Sequence, residues 1–134
     1  MLNLSFSLLK HLPPELAHSI TLELLKIKPR FINYNSEDDS KLHQCLWGLD
    51  FNNPIGLAAG FDKNAEVIEP VLDLGFSFIE VGTVTPQAQF GNKKPRVFRL
   101  TEDHSIINYL GFNNNGINYV KKKLEKININ IFSK

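Results

Sequence analysis

The stretch Asn53-Pro54-Ile55-Gly56-Leu57-Ala58-Ala59-Gly60-Phe61-Asp62-Lys63 decides the fold. Residues 54–59 are a compact apolar run, ended by Gly60 and followed directly by Asp62 and Lys63. Such a run predicts a buried strand that delivers the chain to the rim of a parallel sheet, where ligand sites of these folds lie. Downstream, residues 64–74 place Val67, Val71 and Leu74 on one helical face, with Gly75 as a C-terminal stop. Residues 76–81 form a second apolar run. Strand, helix, glycine and strand in this order predict a βαβ unit and a parallel sheet.

The α/β pattern extends in both directions. Residues 42–46 and 49–51 read as short strands around Gly48, and residues 96–100 and 104–109 as an antiparallel excursion. Residues 116–127 predict a helix bearing Lys121, Lys122 and Lys123, and residues 128–132 alternate like a further strand. Toward the N-terminus, Leu2, Phe6 and Leu9 have helical spacing. After the Pro13-Pro14 break, Leu16, Ile20 and Leu24 repeat every four residues, with Ala17 and Leu25 beside them. Pro14 and Glu15 suit a first helical turn, and Pro29 ends the helix. Lys10, His11, His18, Lys26, Lys28 and Arg30 accompany these helices. Periodicity leaves two uses open: packing on the rest of the domain, or lying in a membrane surface as an interfacial hairpin. Residues 33–40 are polar and aperiodic, a boundary between two units.

Composition bounds what these elements build. The chain has 134 residues, enough for one domain but short of the roughly 250 of a complete (β/α)₈ barrel. Fifteen basic and 14 acidic residues leave a net charge of +1, which argues against a nucleic-acid partner; the lysine run reads as a solvated face. Cys45 is the single cysteine, so no intrachain disulfide forms. No apolar stretch approaches the length of a transmembrane span.

The chemistry-bearing residues fall in three rim segments. Ala58, Ala59 and Gly60 are small enough to let a flat ring or a phosphate approach the backbone, or they fill a crowded turn. Lys63 suits an anionic cofactor edge or a substrate carboxylate. Asp62 either orients that lysine or caps a helix. The second segment, residues 80–86, offers Gly82 with the hydroxyls of Thr83 and Thr85. The third, residues 108–115, is rich in asparagine, whose amides either read a planar molecule or form turns. Neither the P-loop nor the dinucleotide glycine fingerprint is present. His11, His18, His43 and His104 have no metal-ligand spacing with one another or with Cys45, so no metal is expected.

Residues 53–66, 76–86, 95–100 and 108–116, in this order and spacing, resemble the N-terminal part of the class 2, quinone-dependent dihydroorotate dehydrogenases. Residues 11–26 resemble the helical extension of that class. The resemblance implies an α/β fold, the N-terminal part of a (β/α)₈ TIM barrel preceded by a two-helix membrane-associating extension, with the barrel incomplete. It divides the chain into an extension at 1–32, a polar linker at 33–41 and the first barrel strands at 42–134. It implies oxidation of dihydroorotate to orotate with FMN and a membrane quinone as acceptor. Ala59, Gly60, Phe61, Asp62, Lys63 and Thr83 would contact FMN. Lys63, Asn108, Tyr109, Leu110, Gly111 and Phe112 would contact dihydroorotate. The extension would rest on a membrane surface, peripheral on the cytoplasmic face with no transmembrane span.

The family's serine base lies on a later segment, and Ser105 and Ser133 do not stand in its context. The expectation is that these 134 residues alone neither hold FMN stably nor turn over dihydroorotate. Two roles then remain: a fragment completed by a C-terminal polypeptide, or an inactive truncated product serving as a membrane-surface or interaction module.

Overall fold

The computed structural model describes residues 9–27 and 39–127. Most of the first predicted helix, Pro29, most of the polar linker and the strand predicted at 128–132 lie outside these residues. Residues 9–11 are helical, and after Leu12 and Pro13 the chain enters helix α1 (Pro14–Ile27). Glu15 in its first turn and Lys26 in its last complement the helix dipole. The apolar repeat is only partly buried. Ala17 is inside, while Leu16, Leu24 and Ile27 are 48%, 61% and 74% exposed.

Strands β1 (Gln44–Leu46) and β2 (Leu49–Phe51) form an antiparallel hairpin about Trp47 and Gly48, pairing Cys45 with Asp50. A 3₁₀ turn, Ser40–Leu42, precedes it, so the first strand starts two residues later than the sequence suggests. The Asp39 carboxylate accepts the Lys41 amide at 3.0 Å and favours that turn.

The predicted βαβ unit is present. Strands β3 (Gly56–Leu57) and β4 (Phe78–Ile79) pair in parallel, Gly56 against Phe78 and Leu57 against Ile79, with helix α2 (Ile68–Leu72) between them. The strands are shorter than predicted, but backbone bonding continues past them. Ser77 N–H donates to Ile55 O at 2.9 Å, Glu80 N–H to Leu57 O at 2.9 Å, and Gly60 N–H to Gly82 O at 2.8 Å. Helix α2 also starts later than predicted, at Ile68 rather than at residue 64. Ala65 takes φ +57°, which no α-helix accommodates, and the Asp62 side chain binds the amides that a first helical turn would have carried.

Strands β5 (Val97–Leu100) and β6 (Ser105–Asn108) form the predicted antiparallel excursion, with Val97 opposite Asn108. Helix α3 (Ile117–Leu124) follows, and residues 125–127 are turns rather than helix. The core joins these elements: Ala65, Ile68 and Val120 are buried together, with Leu72, Ile79, Val81, Val84 and Ile127 packed against them. Among the described residues the result is an α/β arrangement of one parallel and two antiparallel strand pairs, consistent with part of a TIM barrel.

Candidate functional site

The rim is built by the loop that follows β3. Asp62 is 1% exposed and its carboxylate is consumed by the backbone. Oδ1 accepts the Glu66 amide at 2.8 Å and the Asn64 amide at 3.3 Å, and Oδ2 accepts the Val67 amide at 2.8 Å. The contacts of Asp62 serve the loop's own amides rather than the helix: α2 has Val67 at its N-cap, with no side-chain cap bond. The folded loop holds Lys63 at the rim, with Nζ donating to Gly60 O at 2.5 Å. Burial pushes the Lys63 ammonium below its ordinary range; Glu15 and Asp62 oppose that shift and Arg96 adds to it. A partly desolvated cation gains more from an anionic neighbour than one in bulk water does.

The second segment leaves β4 through the buried Gly82 to Thr83. The Thr85 hydroxyl is occupied by Gln87 O and by the side chain of Asn114. Asn114 is itself buried and structural. Its Oδ1 accepts the Thr85 amide at 3.1 Å and the Gly116 amide at 2.9 Å, while Nδ2 donates to Phe112 O at 2.7 Å.

The third segment leaves β6 at Asn108. Tyr109 stacks on Phe98 with ring centroids 6.1 Å apart, and its hydroxyl donates to Pro95 O at 2.7 Å. Asn92 Nδ2 donates to Tyr109 O at 2.6 Å, and Asn92 N–H to Leu110 O at 3.0 Å. Asn113 Oδ1 is buried without a hydrogen-bond partner among the described residues.

The three segments converge on a concavity of about 300 Å³. Ala59, Gly60 and Lys63 come from the first, Gly82 and Thr83 from the second, and residues 108–113 from the third. Phe61 and Asp62 do not line it. The Phe61 ring meets His18 of α1 edge-on at 5.3 Å, and its carbonyl accepts from His18 Nε2 at 2.6 Å. A second, more polar hollow of about 610 Å³ lies beside it, lined by Asn64, residues 89–94, Arg96 and residues 113–115. The first concavity combines a small-residue floor, one cation, a hydroxyl and amide groups. That set suits a planar, polar, anionic molecule. Among the described residues, no group of three or more His, Cys, Asp or Glu is placed to hold a metal ion.

Sequence reading missed two polar clusters that tie helix α1 to the rest of the chain, one at Glu66 and one at Glu15. Glu66 Oε1 accepts the Tyr119 hydroxyl, and Oε2 meets Lys26 at 3.0 Å and Lys123 at 3.2 Å. Burial would raise the Glu66 carboxyl, but hydrogen bonds from Tyr119, Lys26 and Lys123 outweigh it and hold the group below its ordinary range. Glu15 behaves alike: burial opposes ionisation, and Arg96 and Lys94 overcome it.

Comparison with known proteins places this geometry. The dihydroorotate dehydrogenase family model matches residues 41–133. Dihydroorotate dehydrogenase (quinone) of Rhodopseudomonas palustris is 51% identical over 124 residues, which are 90% of this chain and 32% of that protein. The protein of the same description from Stutzerimonas stutzeri is 49% identical over 128 residues, 93% of this chain and 37% of that one. The crystal structure of Eimeria tenella DHODH in complex with ferulenol superposes with a TM-score of 0.79 at 48% identity, covering 85% of this chain and 30% of that one. The chain therefore spans about a third of the length of the curated relatives it matches.

Proposed function

Because the chain belongs to the dihydroorotate dehydrogenase family, we propose that it supplies the N-terminal part of a quinone-linked enzyme that oxidises dihydroorotate to orotate with FMN. The observation that carries this reading is the convergence of three separate rim segments on one concavity. The residues fit a flavin. A Cβ built on Gly60 meets nothing within 4 Å, so the glycine leaves open space at the wall for a flat ring. When bound, FMN supplies the acceptor for hydride. The protein's own residues bind and orient. Lys63 holds negative charge on the cofactor edge or on the substrate carboxylate, and the Thr83 hydroxyl offers a donor or acceptor to the cofactor. Asn108 reads the alternating C=O and N–H groups of the dihydropyrimidine, with the 109–112 backbone along its edge. Ala59 and Gly60 keep the floor low. Phe61 and Asp62 serve the site indirectly, Phe61 by seating α1 and Asp62 by shaping the Lys63 loop.

Residues 1–32 act in this reading as the extension that rests on a membrane surface, residues 33–41 as a linker and residues 42–134 as the opening strands of the barrel. The exposure of Leu16, Leu24 and Ile27 along α1 supports interfacial docking. Among the described residues no helix is long and apolar enough to cross a membrane; the placement proposed for the extension is peripheral, on the cytoplasmic face. The serine base belongs to a later family segment, so these 134 residues by themselves hold only part of the site and are inactive without that segment.

Co-expression with the C-terminal remainder of the Rhodopseudomonas palustris relative tests this. The expected result is a flavin-containing complex with dihydroorotate-dependent quinone reduction, lost in Lys63→Met. Flavin uptake without that reduction contradicts the reading. The same exposed α1 residues favour a second role, an inactive membrane-surface module. That role predicts binding of the lone chain to liposomes together with failure to associate with the remainder.

A further inference from the structure

Arg96 is 5% exposed, and its guanidinium joins three parts of the chain that sequence keeps far apart. Toward α1, Nε and Nη2 donate to Glu15 Oε1 at 3.1 and 2.8 Å. On its other edge, Nη1 donates to Phe90 O at 2.6 Å and Asn92 O at 3.0 Å, and reaches Leu110 O at 3.4 Å. The Arg96 backbone carbonyl also accepts the Tyr109 amide at 3.0 Å. Residues 90–92 and 109–111 interlock further. A Cβ on Gly91 would strike Leu110 O and approach Arg96 Nη1 within 2.7 Å, and Asn92 bonds both Tyr109 O and Leu110 O. Only the planar five-donor fork of arginine serves a carboxylate on one edge and carbonyls on the other; a lysine ammonium cannot.

We infer that Arg96 is a positioning residue that couples the docking of helix α1, through Glu15, to the geometry of the 109–111 wall of the concavity. This inference rests on the proposed function for what the wall binds, but the coupling itself is a property of the unliganded chain. Seating α1 neutralises a buried cation whose other edge orders Phe90, Asn92 and Leu110. Undocking α1 leaves that cation unpaired, and the wall loses its anchor. An extension lying on a membrane surface would thereby inform the substrate pocket whether it is seated.

Amide hydrogen exchange on the unliganded 134-residue chain tests the coupling in Glu15→Ala, Glu15→Gln and Arg96→Lys. In Glu15→Ala, the Asn92 and Tyr109 amides are expected to exchange about fivefold faster or more, while Val71 and Val120 stay within about twofold of the parent. Glu15→Gln keeps an acceptor for Arg96 and restores much of the protection at both amides. Arg96→Lys loosens Asn92 and Tyr109 while α1 keeps its protection. Faster exchange confined to α1 in Glu15→Ala, with Asn92 and Tyr109 unchanged, overturns the inference. Should Glu15→Ala unfold, Glu15→Gln decides: a rise at Asn92 and Tyr109 smaller than global unfolding supports the coupling, and none overturns it. Because no ligand is present, failure of dihydroorotate binding would count against the proposed function and not against this result.

Discussion

The buried carboxylate of Asp62 accepts the amide of Val67 at 2.8 Å, and with that bond the loop after β3 closes before helix α2 begins. The same carboxylate holds the Glu66 amide at 2.8 Å, so one side chain fixes the loop that presents Lys63. Replacing it leaves at least one buried amide without a partner. Asp62→Ala is expected to cost about 2–4 kcal/mol in denaturant unfolding. Asp62→Asn, which retains one acceptor oxygen, should cost about half as much. Equal stability of Asp62→Ala and the parent would mean that the loop has another anchor.

Glu66 ties α1 to α3 through Lys26, Tyr119 and Lys123, and its carboxyl stays below the ordinary range. A carboxylate depressed in the folded state binds fewer protons there than in the unfolded chain. Its stabilisation is thus complete above the unfolded value of 4.5 and is lost as pH falls through the lowered folded value. Glu66→Gln should cost about 1–3 kcal/mol at neutral pH and flatten the acid limb. Urea midpoints followed from about pH 6 to about pH 3 check this, because parallel limbs would remove Glu66 from the account.

Two glycines, Gly56 within β3 and Gly60 just after it, separate stability from binding. A Cβ on Gly56 would fall within the Phe78 ring across the parallel pair, so Gly56→Ala should lower stability by about 1–3 kcal/mol through overpacking. Gly60 has open space at its Cβ position but φ +105°, and it lines the concavity. Gly60→Ala should cost about 1–3 kcal/mol in backbone strain and also block a ring from the floor. Thermal melts with ligand titrations should therefore show both variants destabilised and only Gly60→Ala impaired in residual binding beyond its stability loss.

The βαβ unit was legible because it is written locally. An apolar run, a short helix that buries Val71 and a Gly75 stop need no distant partner to be recognised, although Val67 and Leu74 of the expected helical face fall outside α2. The antiparallel excursion of β5 and β6 was legible for the same reason. Where α2 begins was not legible, since helical spacing says nothing of a carboxylate that competes for the first-turn amides. The orientation of Phe61 and Asp62 away from the concavity depends on His18 and on the loop's own amides, which motif position does not encode. Glu15 and Arg96 stand 81 residues apart, and nothing in either neighbourhood announces the pair. The exposure of Leu16 and Leu24 likewise appears only once α1 is seated by Glu15 and His18 as well as by Ala17.

Ala59, Gly60, Lys63, Thr83 and residues 108–112 form one ligand rim in this reading, and amide-resolved titration of the 134-residue chain is the decisive measurement. FMN and then orotate, each added to about millimolar concentration, should bind weakly, in the range of roughly −4 kcal/mol expected for a partial site. Fast-exchange shifts are expected to cluster at Gly60, Lys63, Thr83 and residues 108–112, and to shrink in Lys63→Met. Shifts clustered elsewhere, or none at any of these amides, would contradict it.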